Sequence, residues 1–572
     1  MHIPMLAITT DATYFHVYVG IVRYAAPVLA AIIILRCILP LISFRKEPEI
    51  WAWLLLKKGQ KLPVTHWENA IGSSKRSDIV IADPSVARTH AVLTRYDDGS
   101  WSIAATDNSD GVFLNGEQVE MGVVTEEDTI TLGKVRMKLR VVDAQQSKTL
   151  SELRTTGSSF FKGLTNIILL TLFQLMCMLG YLLGAKAGTE GNILLAFGGI
   201  MVFQWLLYMF YVGIRRTAFE LETIAFFLCT MGMAAICSVV PNEALKQLFS
   251  VGLGLGAFLV IGWALRDLER AKILRIAAAV AGVGLLLITL AFGKEYYGAK
   301  NWLDLGSFSF QPSELSKVCF VLVGASTMDR LVKKRNLILF IAYSASICAC
   351  LALMNDFGTA LIFFCAFLVI AYLRSGSVGT LALASAALVF AGVVALKIAP
   401  HALQRFASWR HIWEDPFDTG YQQTRALMCI ASGGLFGLGP TRGWMKNLFA
   451  ADSDMVIATI AEEWGLLMVL ICIISIVAVG IFVMRSCSVG RSSFYTIGAC
   501  TAASILLVQT ILNALGTLDV LPLTGVTFPF LSNGGSSMIC TWGLLAFIKA
   551  SDTRQNASFA IRLTQKGETE DE

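Results

Sequence analysis

The chain has 572 residues, 55% of them hydrophobic and 15% charged, with a formal net charge of +5. A soluble protein of this size carries more charge, so a single soluble globular fold is excluded. The slight excess of Lys and Arg is what cytoplasmic loops of membrane proteins carry, and it gives no ground for a nucleic-acid partner.

Residues 14–43 form the first apolar run, with no basic region ahead of it and no small-residue cleavage site. That pattern reads as an anchor over 1–45 rather than a removed signal peptide. Only Asp11 is charged before it, whereas Arg36, Arg45 and Lys46 fall at or beyond its end, so the amino terminus is expected outside and Arg45 in the cytoplasm. From Val64 to Asp143, short alternating runs (DIVIAD, HAVLTRY, WSIAA, TITLG) are separated by turns such as DDGS and NGEQ. Strands at that spacing predict a small cytoplasmic β-sandwich over 64–143.

A polar linker, 144–160, leads into a multispanning domain over 161–552, and a polar tail fills 553–572. Apolar runs near 164–184, 192–213, 218–240, 248–265, 274–292, 314–329, 337–354, 357–373, 378–397, 456–484, 494–516 and 534–549 read as membrane helices. With the anchor they predict a polytopic α-helical membrane protein of about thirteen spans. Basic clusters at alternate connections, among them Arg215–Arg216, Lys333–Lys334–Arg335 and Arg485 with Arg491, mark the cytoplasmic side. The carboxyl terminus is then inside, and the connections 293–313, 398–455 and 517–533 are outside. The thirteen cysteines lie mostly within apolar runs without zinc or redox spacing, as small buried hydrophobes do.

The stretch from Pro400 to Gly465 gathers Arg405, Arg410, Asp415, Arg425, Arg442, Lys446, Asp452, Asp454, Glu462 and Glu463 between apolar runs. So much charge there is costly unless it lines a site or meets water, so this is the expected active-site loop. Glycines of SGGLFGLG (432–439) are not followed by the Lys-Ser of a phosphate loop and predict a re-entrant turn between protein walls. No His/Cys/Asp cluster offers a metal site.

Two resemblances sharpen this reading. IGSSKRSDIVIADPSVARTHAVL with NSDGVFLNGEQV resembles the forkhead-associated (FHA) domain, a phosphothreonine-binding sandwich. The arginine expected after the first glycine is Ser73, and the serine of S-R-x-H is Ala87, although Arg88 and His90 remain. The second-loop asparagine is Asp110, whose carboxylate would repel phosphate. The resemblance therefore implies a degenerate module for a cytoplasmic protein partner, without phosphothreonine binding, in which His90, Asn115 and Gly116 hold loops.

Further on, YYGAKNWLDLGSFSFQPSELSK (296–317), NDFGTAL (355–361), GYQQTRALMCIASGGLFGLG (420–439), DSDMVIATIAEEWGLL (452–467) and LPLTGVTFPFLSNGG (521–535) resemble, in order, the signatures of the SEDS family (FtsW, RodA and SpoVE). Departures are Asn301, Asn355, Asp452, Ser453 and Asn533, and the usual ten-span fold would be exceeded by extra helices within 164–240. The resemblance implies a peptidoglycan glycosyltransferase of the bacterial plasma membrane. It would polymerise lipid II with a class B penicillin-binding protein, in elongation, division or sporulation. Asp454 matches the catalytic aspartate. Glu314 and Lys317, one helical turn apart, form an ion pair or shape the substrate cavity. Lys300 and Arg405 clamp pyrophosphate or snorkel to the surface, and Trp302 stacks on a sugar or lies in the interfacial belt. Asp356 sits at the outer end of a span, and Glu463 with Glu462 takes a pairing or substrate-binding role. A divalent cation, magnesium or manganese, between the diphosphate and Asp454 stays open. Two other functions also stay open: a lipid II flippase, and a non-catalytic scaffold for the penicillin-binding protein.

Overall fold

The computed structural model describes residues 12–43, 50–57, 59–75, 77–96, 99–106, 109, 111–142, 160–216, 218–266, 268–296, 299–304, 309–328, 334–375, 378–379, 381–383, 385–386, 392, 408–487, 492–552 and 554. Arg405, Asp110 and most of the span expected at 378–397 lie outside them.

Helix α1 (Ala12–Ser43) is followed by eleven strands. They form a sheet of six, in the order Lys61–Val64, Ala52–Leu56, Val135–Val141, Thr129–Leu132, Val112–Leu114 and Glu117–Val119, and a sheet of five, Ile79–Val80, Glu68–Gly72, Ala91–Arg95, Trp101–Ala105 and Met121–Val124. Leu54, Ile71, Leu93, Ile103, Ile130 and Leu139 fill the space between, as alternation along each strand requires. The sandwich begins before Val64. Strands β1 (Ala52–Leu56) and β2 (Lys61–Val64) belong to it, with β1 paired to β11 (Val135–Val141) from Ala52↔Val141 to Leu56↔Met137. The run AWLLL hides its period because both of its faces are apolar, yet only Ala52 and Leu54 are buried.

Beyond the sandwich come α2 (Phe160–Leu183), α3 (Glu190–Gly213), α4 (Glu220–Val239), α5 (Ala244–Ala264) and α6 (Leu268–Phe292). Three short strands, β12 (Lys294–Tyr296), β13 (Ala299–Asp304) and β14 (Ser309–Phe310), lead to α7 (Pro312–Met328), α8 (Lys334–Leu353) and α9 (Phe357–Ser375). The chain closes with α10 (Tyr421–Gly433), α11 (Val456–Trp464), α12 (Leu466–Cys487), α13 (Ser493–Thr517) and α14 (Gly535–Ala550). Helix α4 is buried on every side from Glu220 to Cys237, and beyond the paired Glu220 and Glu222 of its first turn it is mostly apolar all round.

Among the described residues, ten helices are long and apolar enough to cross a membrane. Two further expected spans are shorter helices, α7 with 17 residues and α14 with 16. The span expected over 456–484 is not one helix. Gly465, at φ +87°, ends α11 and starts α12. A Cβ on Gly465 would stand 2.2 Å from the Leu435 carbonyl oxygen, so the break admits the chain of the preceding loop.

The two ends of the bundle differ. At one, Arg485 donates to the carbonyl of Ile42, and the Ser486 hydroxyl donates to that of Ser551 at 2.7 Å. The exit of α1 toward the sandwich therefore lies beside the exit of α14. At the same end Arg554 pairs with Glu220 (3.3 Å) and Asp552 (2.7 Å), and Lys549 with Glu222 (3.1 Å), all buried. The other end holds the loops between α4 and α5, α10 and α11, and α13 and α14. The candidate site is there.

Candidate active site

Asp452, Ser453 and Asp454 form the turn that leads into α11, and each is held by a different group. The Asn533 backbone N–H donates to the Asp452 carbonyl at 2.8 Å. Its side-chain amide donates to the Asp452 carboxylate at 2.7 Å and to Glu243 at 3.1 Å. The Ser532 hydroxyl donates to the Ser453 carbonyl at 2.6 Å. The Asn513 amide donates to the carbonyls of Asp454 (2.9 Å) and Val526 (2.7 Å). Backbone bonds thus fix the turn, while the side chains of Asp452, Ser453 and Asp454 stay half-buried.

Asp454 stands two residues before Val456, at the positive end of the α11 peptide dipoles, which favours negative charge there. Gly525, at φ +67°, lies against its carboxylate. A Cβ at that position would be 3.4 Å from Asp454 Oδ2 in a backbone region that L side chains rarely adopt.

Loop 432–447 is built by close backbone approach. A Cβ on Gly433 would stand 2.1 Å from the Ala461 carbonyl oxygen, and one on Gly437 2.2 Å from that of Glu463. Leu438 and Gly439 donate their N–H groups to the carbonyls of Glu462 and Glu463, both at 2.9 Å. The glycine-rich segment is therefore a turn packed along α11, between two helices of 13 and nine residues that are too short to cross a bilayer.

Both glutamates of the acidic pair are buried acceptors. Glu462 accepts from Met445 N–H at 2.7 Å. Glu463 accepts from the hydroxyls of Tyr181 (2.8 Å) and Ser238. They hold the loop to the bundle.

The remaining predicted residues divide. Glu314 and Lys317 are joined at 2.7 Å and are almost wholly buried on α7. Lys300 donates to the Leu290 carbonyl at 2.7 Å, closing the carboxyl end of α6, where a cation is favoured. Trp302 is half-buried on β13, opposite Lys294. Next to it Asn301 donates to Asp356 at 3.1 Å, and Asp356 accepts from Thr359 N–H at the start of α9. Among the described residues no group of three His, Cys, Asp or Glu could hold a metal ion.

Asn513 and Glu243 were missed in the sequence. Asn513 and Gln509 lie one turn apart within α13, and both are buried. Amides inside an apolar helix are expensive, and that cost was the available signal. Glu243 sits in a short polar turn that nothing in its own surroundings marks.

In the sandwich, buried His90 accepts from Ala87 N–H at its Nδ1 (3.0 Å), so its Nε2 donates to the Gly111 carbonyl (3.0 Å). Asn115, at φ +52°, donates to Asp128 at 2.6 Å and accepts from Thr129 N–H at 2.9 Å. Both side chains are used in joining loops. Ser73 and Ala87 are half-buried and Arg88 is exposed.

The chain matches the family described as "Cell cycle protein" (FtsW/RodA/SpoVE) over residues 224–556. It matches that described as "Inner membrane component of T3SS, cytoplasmic domain" over residues 56–143. It is 29% identical over 329 residues to the peptidoglycan glycosyltransferase RodA of Mycobacterium tuberculosis, covering 54% of this chain and 69% of the relative. It is 31% identical over 317 residues to the probable peptidoglycan glycosyltransferase FtsW of Tolumonas auensis, covering 53% and 80%. A solved FHA domain, from work on phosphothreonine-dependent FHA interactions, is 21% identical with a TM-score of 0.16, covering 16% of this chain and 98% of that domain. The cell-cycle match begins within α4, so α1, α2 and α3 precede it.

Proposed function

Because this chain belongs to the FtsW/RodA/SpoVE family of cell cycle proteins and carries an FHA-like domain ahead of it, we propose that it is a peptidoglycan glycosyltransferase that polymerises lipid II, with Asp454 as its general base. The carboxylate takes the proton of an acceptor sugar hydroxyl as that oxygen bonds to the anomeric carbon of the donor. The bond from that carbon to the lipid pyrophosphate breaks, and its electron pair leaves with the phosphate. Pyrophosphate departs as a stable anion, so no acid is needed, unlike in a glycosidase. The observation that carries this reading is the convergence at Asp452–Asp454 of Asn513, Ser532 and Asn533, residues distant in sequence that fix the turn presenting the half-buried Asp454 just ahead of α11.

The site faces outward in this proposal. Arg266, Arg485, Lys549 and Arg554 collect at the opposite end, where the sandwich is rooted, and basic residues favour the cytoplasm. Thirteen spans result when α7, α14 and the segment 378–397 are added to the ten long helices. The amino terminus is then outside and the carboxyl terminus inside. A class B penicillin-binding protein is the proposed membrane partner. The sandwich is the proposed cytoplasmic adaptor, and the loop-joining use of His90 and Asn115 supports that role.

The test is lipid II polymerisation by the purified protein, with and without its penicillin-binding protein, for wild type and Asp454→Asn. Loss of a general base predicts a fall of about 10²–10⁴-fold in an equally folded variant. Equal glycan synthesis by both removes Asp454 from the chemistry. No synthesis by either, with the partner present, favours the flippase or scaffold.

A further inference from the structure

Helices α1 and α2 lie outside the family match, and the sandwich is inserted between them. Both reach the catalytic end and grip one loop. The ring of Tyr24 on α1 lies 4.9 Å from that of Phe436. Arg442 stacks on Phe15 at 5.1 Å and binds His16 Nδ1 at 2.6 Å. A Cβ on Gly439 would stand 2.1 Å from Val19. From α2, Gly180 and Gly184 bring its backbone against Pro440 and Thr441, where Cβ atoms would lie 2.9 and 2.3 Å from them.

At the centre is Tyr181, wholly buried, which donates to Glu463 at 2.8 Å and accepts from Trp464 Nε1 at 3.0 Å. Glu463 and Trp464 end α11, and Asp454 stands at its start. A nine-residue helix is a rod of roughly 13 Å, so fixing one end sets the axial position of the other.

We propose that Tyr181 is a positioning residue for Asp454, and that α1 and α2 form a built-in clamp on the loop that holds α11. The proposal rests on the polymerase reading. The hydroxyl of Tyr181 holds the Glu463 carboxylate, Glu463 and its neighbour hold α11 and loop 437–445, and α11 presents Asp454.

The experiment uses full-length protein in lipid nanodiscs, with fluorescent lipid II as substrate and thermal unfolding measured on each sample. Tyr181→Phe keeps the ring and removes the donor. Misplacement of the reacting group predicts a kcat about tenfold to a hundredfold lower with KM unchanged. Trp205→Phe removes a neutral bond from α3 to Thr171 of α2, away from the loop, and is the structural control, with kcat at the wild-type value. The double variant Tyr181→Phe/Glu463→Gln is expected to be no slower than the slower single variant, since both act on one bond. Tyr24→Ala, at an exposed position, lowers kcat with an unaltered melting temperature and serves if Tyr181→Phe does not fold.

Wild-type kcat in Tyr181→Phe and Tyr24→Ala overturns the clamp while leaving the polymerase intact. A multiplicative loss in the double variant, or an equal kcat loss in Trp205→Phe, reduces Tyr181 to general structure. Absence of polymer from wild type strikes the polymerase reading instead.

Discussion

Asn533 binds Asp452 twice, through its backbone N–H to the carbonyl at 2.8 Å and through its amide to the carboxylate at 2.7 Å. The pair locks the loop before α14 onto the turn that carries Asp454, and the same amide reaches Glu243 at 3.1 Å. Asn533→Ala leaves two carboxylates without this donor. The expected cost is about 1–3 kcal/mol of stability. Displacement of the turn should also lower polymerisation about tenfold, measured as kcat at saturating lipid II. A wild-type rate in Asn533→Ala would show that Asp454 is set without this bond.

Gly525 separates activity from folding. Alanine there adopts a left-handed backbone at a cost of about 1–2 kcal/mol. Its methyl group enters the space beside Asp454 Oδ2. Gly525→Ala should therefore melt only a few degrees lower while losing polymerisation at least as severely as Asn533→Ala. Equal activity in folded Gly525→Ala would mean that the space beside Asp454 is unused.

The buried pair Glu314–Lys317 distinguishes an ion pair from a cavity wall. Lys317→Met strands a buried carboxylate and is expected to cost about 3–5 kcal/mol. In Glu314→Gln/Lys317→Met no charge is stranded, so most of that stability should return. If the pair shapes the substrate cavity, the double variant stays inactive although it melts like wild type. Recovery of activity together with stability would assign the pair to folding alone.

The sandwich supplies a pH prediction. The backbone N–H and hydroxyl of Thr125 and the amide of Asn115 hold the Asp128 carboxyl below the ordinary carboxylate range. A lowered folded-state value stabilises the fold above the unfolded pKa of about 3.9 and is lost as pH falls through the folded value. Asp128→Asn should thus weaken hydrogen-exchange protection across 112–132 at neutral pH, and the difference from wild type should vanish in acid. A difference that persists unchanged in acid would contradict the assignment.

Much was legible in the chain alone. Apolar runs marked the membrane helices, because hydropathy over some 20 residues suffices to place a segment in a bilayer. Alternation and turns marked the sandwich, and the stretch DSDMVIATIAEEWGLL singled out Asp454 as the proposed base. The break at Gly465 was not legible, since an uninterrupted apolar run looks the same whether one helix or two occupy it. Nor were the first two strands, where both faces are apolar.

The sequence by itself determined that the protein is membrane-embedded, that a β-domain interrupts its first helices, and which carboxylates precede the apolar run of α11. Those properties depend on neighbours within a few residues. Only the tertiary structure decided what each charged group touches. Lys300 turned to the end of α6, Glu463 was taken by Tyr181 from 282 residues away, and Asn513 reached Asp454 across 59. A buried polar group must find a partner, but packing of the whole bundle selects which one, and no local pattern carries that choice.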